Sequence, residues 1–355
     1  MNRESAYMHW AKTRSAARFN LASSGVASIS LGKLNPNWSE LELFGPNSYG
    51  YPPLQEAIAQ HTGAPAECVV EAEGTSMANH LVMAALLEPG AEVLIERPTY
   101  GLLLDVAHYL GATVKRFDRS AANSWLLEPE KVRAAISPQT RLIVLTNPHN
   151  PTSVLTPAAV LTEIHEMAAS VGAYILVDEV YLDTFYHQPV RSSFRPEDRF
   201  IVTSSLTKAY GLSGLRCGWI LAEAGLAEKI RRLNDLFASV PVYPGELLSL
   251  TAFRHLAELR EIARNALEKD RRALNDFLAT QDRLEAVTPA GGTTVFPRSV
   301  DGGVDALAER LRTQYETSVV PGRFFEAPDF FRIGMGVDHD MFVEGLERIS
   351  RALRG

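Results

Sequence analysis

The chain has 355 residues, 46% of them hydrophobic and 22% charged, with a formal net charge of −7. That is the composition of a soluble globular protein long enough for two domains. Its acidic balance leaves no electrostatic footprint for nucleic acid or an anionic membrane, so neither is expected as a partner. Cys68 and Cys217 are the only cysteines. Two distant cysteines build neither a disulfide framework nor a zinc site, so no metal is expected, and both read as reduced thiols of a cytoplasmic protein. The first twenty residues lack the apolar core of a signal peptide, and no apolar run approaches the ~18 residues that span a bilayer.

In chain order, EGTSMANHLVMAALLEPG (73–90) reads as a glycine-hydroxyl turn opening a helix. Gly74, Thr75 and Ser76 there present N–H groups and hydroxyls at a positive helix terminus, a ready anion site. Taken alone, the same residues are an ordinary N-cap. AEVLIE (91–96) reads as a strand and GLLLDVAHYLG after it as a helix. RLIVLT (141–146) is a strand and PAAVLTEIHEMAASVG a helix, and AYILVD (173–178), RFIVTSS (199–205) and RCGWIL (216–221) are further strands. These apolar runs do not alternate with polar residues, which suits strands buried on both faces of a parallel, helix-covered sheet. From Pro244 to about Gln281 the pattern is one long helix, and MFVEGLERISRAL near the end is an amphipathic helix. The expected fold is α/β, with a large domain over 46–240 and a smaller α+β domain built from 1–45 together with 241–355.

In open α/β sheets ligands bind beyond the carboxyl ends of the strands. RLIVLT is followed there by Asn147-Pro148-His149-Asn150-Pro151-Thr152, AYILV by Asp178, Glu179 and Tyr181, and RFIVT by Ser204, Ser205, Thr207 and Lys208. Each group has a plain structural explanation: Asn-Pro turns, an aspartate capping a turn, a solvated lysine. Three on one sheet edge, with the turn at Gly74 and the forked cation Arg216, form a set. A lysine, a carboxylate, a phosphate cradle, an asparagine and a tyrosine suit pyridoxal 5'-phosphate, with the lysine as Schiff-base partner and the acid on the pyridine nitrogen.

The segment Ser205-Leu206-Thr207-Lys208 through Arg216-Cys217-Gly218 resembles the lysine motif of the class I/II aminotransferases, which are fold-type I pyridoxal-phosphate enzymes. NPHNPT, DEVY, RPTY and FFRIGMG are similar to further elements of that family, in the same order from about residue 45 to the end. The resemblance implies that Lys208 is catalytic and carries the cofactor. It implies Asp178 on the ring nitrogen, Tyr181 and Asn150 on the ring oxygen, and Tyr100 stacked on the ring face. Gly74, Thr75, Ser76, Ser205 and Arg216 would hold the phosphate. Arg332 would grip the substrate carboxylate, with Asn150 beside it. Asn35 stands where the family has a glycine whose backbone reaches the substrate. Phe44, Tyr49 and Tyr51 are candidates for an aromatic reaching a neighbouring subunit of a homodimer.

The implied reaction is transfer of an amino group between an amino acid and a 2-keto acid. Elimination or ring closure on the same cofactor is the alternative, because SSGV (23–26), GGTTVFPR and VVPGRFF are similar to the branch containing capreomycidine synthase, a cyclase. A ligand sensor that does not turn its ligand over is a third reading, against which the intact Lys208, Asp178 and Arg332 argue.

Overall fold

A computed structural model describes residues 3–187 and 190–355. Its centre is a seven-stranded sheet in the order Val69–Glu73, Cys217–Leu221, Phe200–Ser205, Tyr174–Asp178, Thr140–Thr146, Glu92–Arg97, Thr113–Asp118. Successive residues of the middle strands pack into different cores. Leu142, Val144, Leu176 and Ile201 face one way, and Ile143, Leu145, Ile175, Val177, Phe200 and Val202 face the other. Burial on both faces explains why these segments are apolar without interruption.

The sheet is mostly parallel, but Cys217–Leu221 runs antiparallel to both its neighbours. Only a short 3-10 turn, Ser213–Leu215, separates it from Phe200–Ser205, so the chain has no crossover α-helix with which to return in the parallel sense. The reversal positions the site. The strands ending at Glu73, Thr146, Asp178 and Ser205 and the one starting at Cys217 all meet one edge, so Arg216 arrives beside Lys208. Two strands were not legible from apolar patterning, Val69–Glu73 and Thr113–Asp118, and the latter is largely half-exposed.

The expected single long helix is two, Tyr243–Arg254 and Leu256–Ala279, broken at His255. The final helix, His339–Arg354, starts at Asp338, whose carboxylate accepts from Met341 N at 2.9 Å. Its apolar face packs with Leu267, Leu274, Val295 and Phe331 into a separate core. Phe331–Gly334 lies between Thr294–Val295 and Val320–Pro321 in a three-stranded antiparallel sheet, which carries Arg332 towards the edge of the large sheet. The N-terminal helix Ala6–Thr13 closes over the same region, with Tyr7 packed among Trp125, Phe296 and Phe325. Among the described residues, no helix is long and apolar enough to cross a membrane.

Candidate active site

Thr75, Ser76, Tyr100, Asn150, Asp178, Tyr181, Ser205, Lys208 and Arg216 line one cavity of about 460 Å³. At one end the helix Gly74–Leu86 begins directly after its strand. Thr75 Oγ1 donates to Ser205 Oγ at 2.9 Å, which joins the helix start to the turn before Lys208. Arg216 Nη2 donates to the Glu73 carbonyl at 2.9 Å and Nη1 to the Ser213 carbonyl at 3.3 Å. Both acceptors are neutral, so the Arg216 charge is free for an anion. Arg216 itself has φ +53°, an uncommon conformation for a residue with a side chain. Gly74 has φ +78°, and a Cβ there would stand 2.4 Å from Arg216 Nη2. Only glycine lets that guanidinium lie against the helix start.

Asp178 ends its strand at 4% exposure. Asn79 Nδ2 donates to its Oδ2 at 2.8 Å and Val180 N to its Oδ1 at 3.1 Å. Thr203 Oγ1 donates to Asn79 Oδ1 at 2.6 Å and fixes which end of the amide faces the carboxylate. Burial pushes Asp178 up to about 6 despite these donors. A cation opposite it would restore the charge.

Lys208 lies in the turn after Ser205, with Arg332 and Asp178 as charged neighbours. Burial, and then the Arg332 charge, pull its amine down to about 8. A Cβ at Gly25 would stand 3.2 Å from Lys208 Cα and Cδ, so the N-terminal arm passes here in close contact. Burial pushes Tyr181 up to about 12 and Tyr100 higher still, so both hydroxyls keep their protons.

Arg332 is 1% exposed, and among the described residues its hydrogen-bond partners are neutral. Nη1 donates to Asn150 Oδ1 at 3.0 Å, and Nη2 to the Tyr7 hydroxyl at 3.1 Å and the Ala22 carbonyl at 3.2 Å. Its Nε is buried without a partner. A buried guanidinium answered only by neutral acceptors is costly, and a bound carboxylate would resolve it.

Asn35 is not part of this assembly. It caps the short helix Leu31–Leu34 in a left-handed conformation and is exposed. The arm meets the cavity earlier, at Ala22, Ser23 and Ser24. Three further residues were not anticipated: Tyr7, Asn79 and Thr146. Asn79 had a readable signal, since it follows Gly74 on the same helix. Of the aromatics considered for a neighbouring subunit, Phe44 is 91% and Tyr49 46% exposed. Tyr51 instead packs edge-on against Tyr243 at 5.3 Å.

A buried acid, a lysine, a guanidinium with neutral partners and a hydroxyl-lined helix start on one cavity suit a phosphorylated, cationic aromatic ring. Comparison with known proteins agrees. The chain matches the family "Aminotransferase class I and II" over residues 40–349, and it belongs to that family. It is 31% identical to capreomycidine synthase from Streptomyces vinaceus over 352 residues, 95% of this chain and 90% of that protein. It is 28% identical to a probable aspartate/prephenate aminotransferase from Aquifex aeolicus, covering 86% of this chain and 82% of that one. A crystal structure of a PLP-dependent aminotransferase from Streptococcus suis superposes with a TM-score of 0.91 at 29% identity, covering 98% of this chain and 96% of that one. The cofactor is therefore pyridoxal 5'-phosphate.

Proposed function

We propose that this enzyme transfers an amino group between an amino acid and a 2-keto acid, with Lys208 as the residue that bonds the cofactor and then moves the proton. The bound cofactor supplies an electron sink that makes the substrate α-proton acidic. The protein's own residues do the rest. Lys208, pulled down to about 8, has a usable fraction of free amine near neutral pH. Asp178, oriented by Asn79, would pair with the ring nitrogen and hold its proton. Tyr181 and Asn150 would donate to the ring oxygen, and Tyr100 would cover the ring face. Thr75, Ser76, Ser205 and Arg216 grip the phosphate, with Gly74 giving room. Arg332 would hold the substrate carboxylate and so orient the substrate for reaction. The observation that carries this reading is the convergence of Lys208, Asp178 and Arg216 on one cavity.

Incubation with paired amino donors and keto acceptors tests it. A new keto acid together with a new amino acid supports transfer. Ring closure or elimination is the second reading, favoured by the 31% identity to capreomycidine synthase over nearly the whole chain. It would give a cyclic product, or a keto acid and ammonia, with no second amino acid.

We also propose a cytoplasmic homodimer. Cys68 and Cys217 are buried and unpaired, which suits a reducing compartment. Trp38, Leu43, Phe44, Leu236, Phe237 and Val242 are large apolar side chains left exposed. Asn47 Nδ2 donates to the Pro241 carbonyl at 3.0 Å, so the two segments are neighbours. Arg216, Pro241 and Val242 share a cavity wall. This apolar face therefore adjoins the phosphate end of the site, where a second copy would cover it.

A further inference from the structure

A buried ion pair lies behind the Asn147–Thr156 loop and has no place in the chemistry above. Arg119 Nε donates to Glu96 Oε2 at 2.8 Å, with both side chains fully buried. The second Glu96 oxygen is hydrogen-bonded to Thr146, which lines the cavity. Its Oε1 accepts from Thr146 N at 2.6 Å and from the Thr146 hydroxyl at 2.7 Å. That hydroxyl accepts in turn from Asn150 N at 2.8 Å. Asn150 Oδ1 accepts a hydrogen bond from Arg332 Nη1 at 3.0 Å. With Oδ1 occupied, the amide nitrogen is the remaining side-chain donor of Asn150, which lines the cavity.

Arg119 also secures the far end of the loop. It donates to Thr156 Oγ1 at 3.0 Å and to the Trp125 carbonyl at 3.3 Å. Thr156 N donates to Asn147 Oδ1 at 2.8 Å, which closes the loop on itself. His149, 4.0 Å from Glu96, is held well below its ordinary range by burial and stays neutral, so it does not compete for the carboxylate.

Three donors converge on Glu96, an arrangement that only a carboxylate satisfies. A buried ion pair of this kind is a poor device for stability, since apolar side chains of similar volume do as well. It does fix hydrogen-bond directions that apolar packing would leave free.

We propose that the Glu96–Arg119 pair is a positioning element that acts through Thr146 to hold Asn150, and so sets both the donor to the cofactor ring oxygen and the orientation of Arg332. This rests on the reading in which Asn150 faces the bound cofactor.

The test uses the cofactor-loaded protein and its Thr146→Val variant, which is nearly isosteric and cuts the link at the hydroxyl alone. Three quantities are read: the pH midpoint of the visible absorbance, the KM for an amino donor and the melting temperature. A weaker donor at the ring oxygen favours its protonated form. The midpoint of Thr146→Val is therefore expected to rise by about one pH unit, and KM to rise about tenfold, for loss of one charge-assisted hydrogen bond. Glu96→Gln turns an N–H towards either Thr146 or Arg119 and is expected to move both readouts further. Asn150→Ala with Thr146→Val should match Asn150→Ala alone. An unmoved midpoint and KM in Thr146→Val, or a lower melting temperature as the sole effect, overturns the proposal. A wild-type protein with no visible band would overturn the cofactor reading itself. A normal wild-type band with an unmoved variant overturns only this inference.

Discussion

Arg332 and Asn150 are hydrogen-bonded to one another at 3.0 Å across 182 positions of sequence. The side chain assigned to the substrate carboxylate thus shares a contact with the one assigned to the cofactor ring. Under the proposed roles, substrate grip and cofactor orientation would be mechanically coupled, with Tyr7 as the third member at 3.1 Å.

Arg332→Lys keeps the charge but loses the fork. It should raise the KM for amino donors about a hundredfold while leaving cofactor absorbance in place, because no phosphate contact is touched. Tyr7→Phe removes one hydroxyl and should raise KM only several-fold. Steady-state kinetics beside an absorbance spectrum separates the two effects. A lost visible band in Arg332→Lys would contradict the assignment.

Asp178 predicts a pH dependence. Its carboxyl is raised from 3.8 to about 6 in the cofactor-free protein. A raised group contributes stability that is full below pH 3.8 and lost as pH rises through about 6. The loss is worth at most about 3 kcal/mol. A ring cation facing Asp178 removes that penalty. The gain in melting temperature on adding cofactor should therefore grow as pH rises through about 6. Melting curves with and without cofactor check this, and a gain independent of pH would contradict it.

Gly74→Ala should weaken the phosphate end specifically. The new Cβ meets Arg216 Nη2 at 2.4 Å, and φ is +78°. The strain is on the order of 1–3 kcal/mol. Cofactor affinity should fall at least tenfold, read by titrating the cofactor-free protein. Gly32→Ala, with nothing within 4 Å of its Cβ position, is the control.

Phe44→Glu together with Leu43→Glu puts charge into the exposed apolar face. Light scattering should show a dimer for the wild type and a monomer for the variant. A wild-type monomer would contradict the proposed assembly.

Much of this was legible in the sequence because the chemistry is written at strand ends. Asp178, Asn150 and Lys208 each follow an apolar run, and the sheet edge collects them. Arg216 was legible as a partner of Lys208, although the reason, a strand that reverses direction, was not. Tyr7 left no local sign, since it meets Arg332 from 325 positions away. Glu96 looked like the end of an apolar strand, and its tie to Thr146 exists only across the sheet. Asn35 has the spacing of the family's glycine, but it sits exposed at the end of Leu31–Leu34 and does not line the cavity. The arm reaches the cavity at Ala22, Ser23 and Ser24, and Gly25 next to them lies so near Lys208 that a Cβ there would stand 3.2 Å from its Cα.

The most direct measurement is borohydride reduction of the cofactor-loaded protein followed by peptide mass mapping. The account predicts a bleached visible band and a single pyridoxyl adduct on Lys208, with neither in Lys208→Ala. An adduct on another lysine, or no visible band at all, would contradict it.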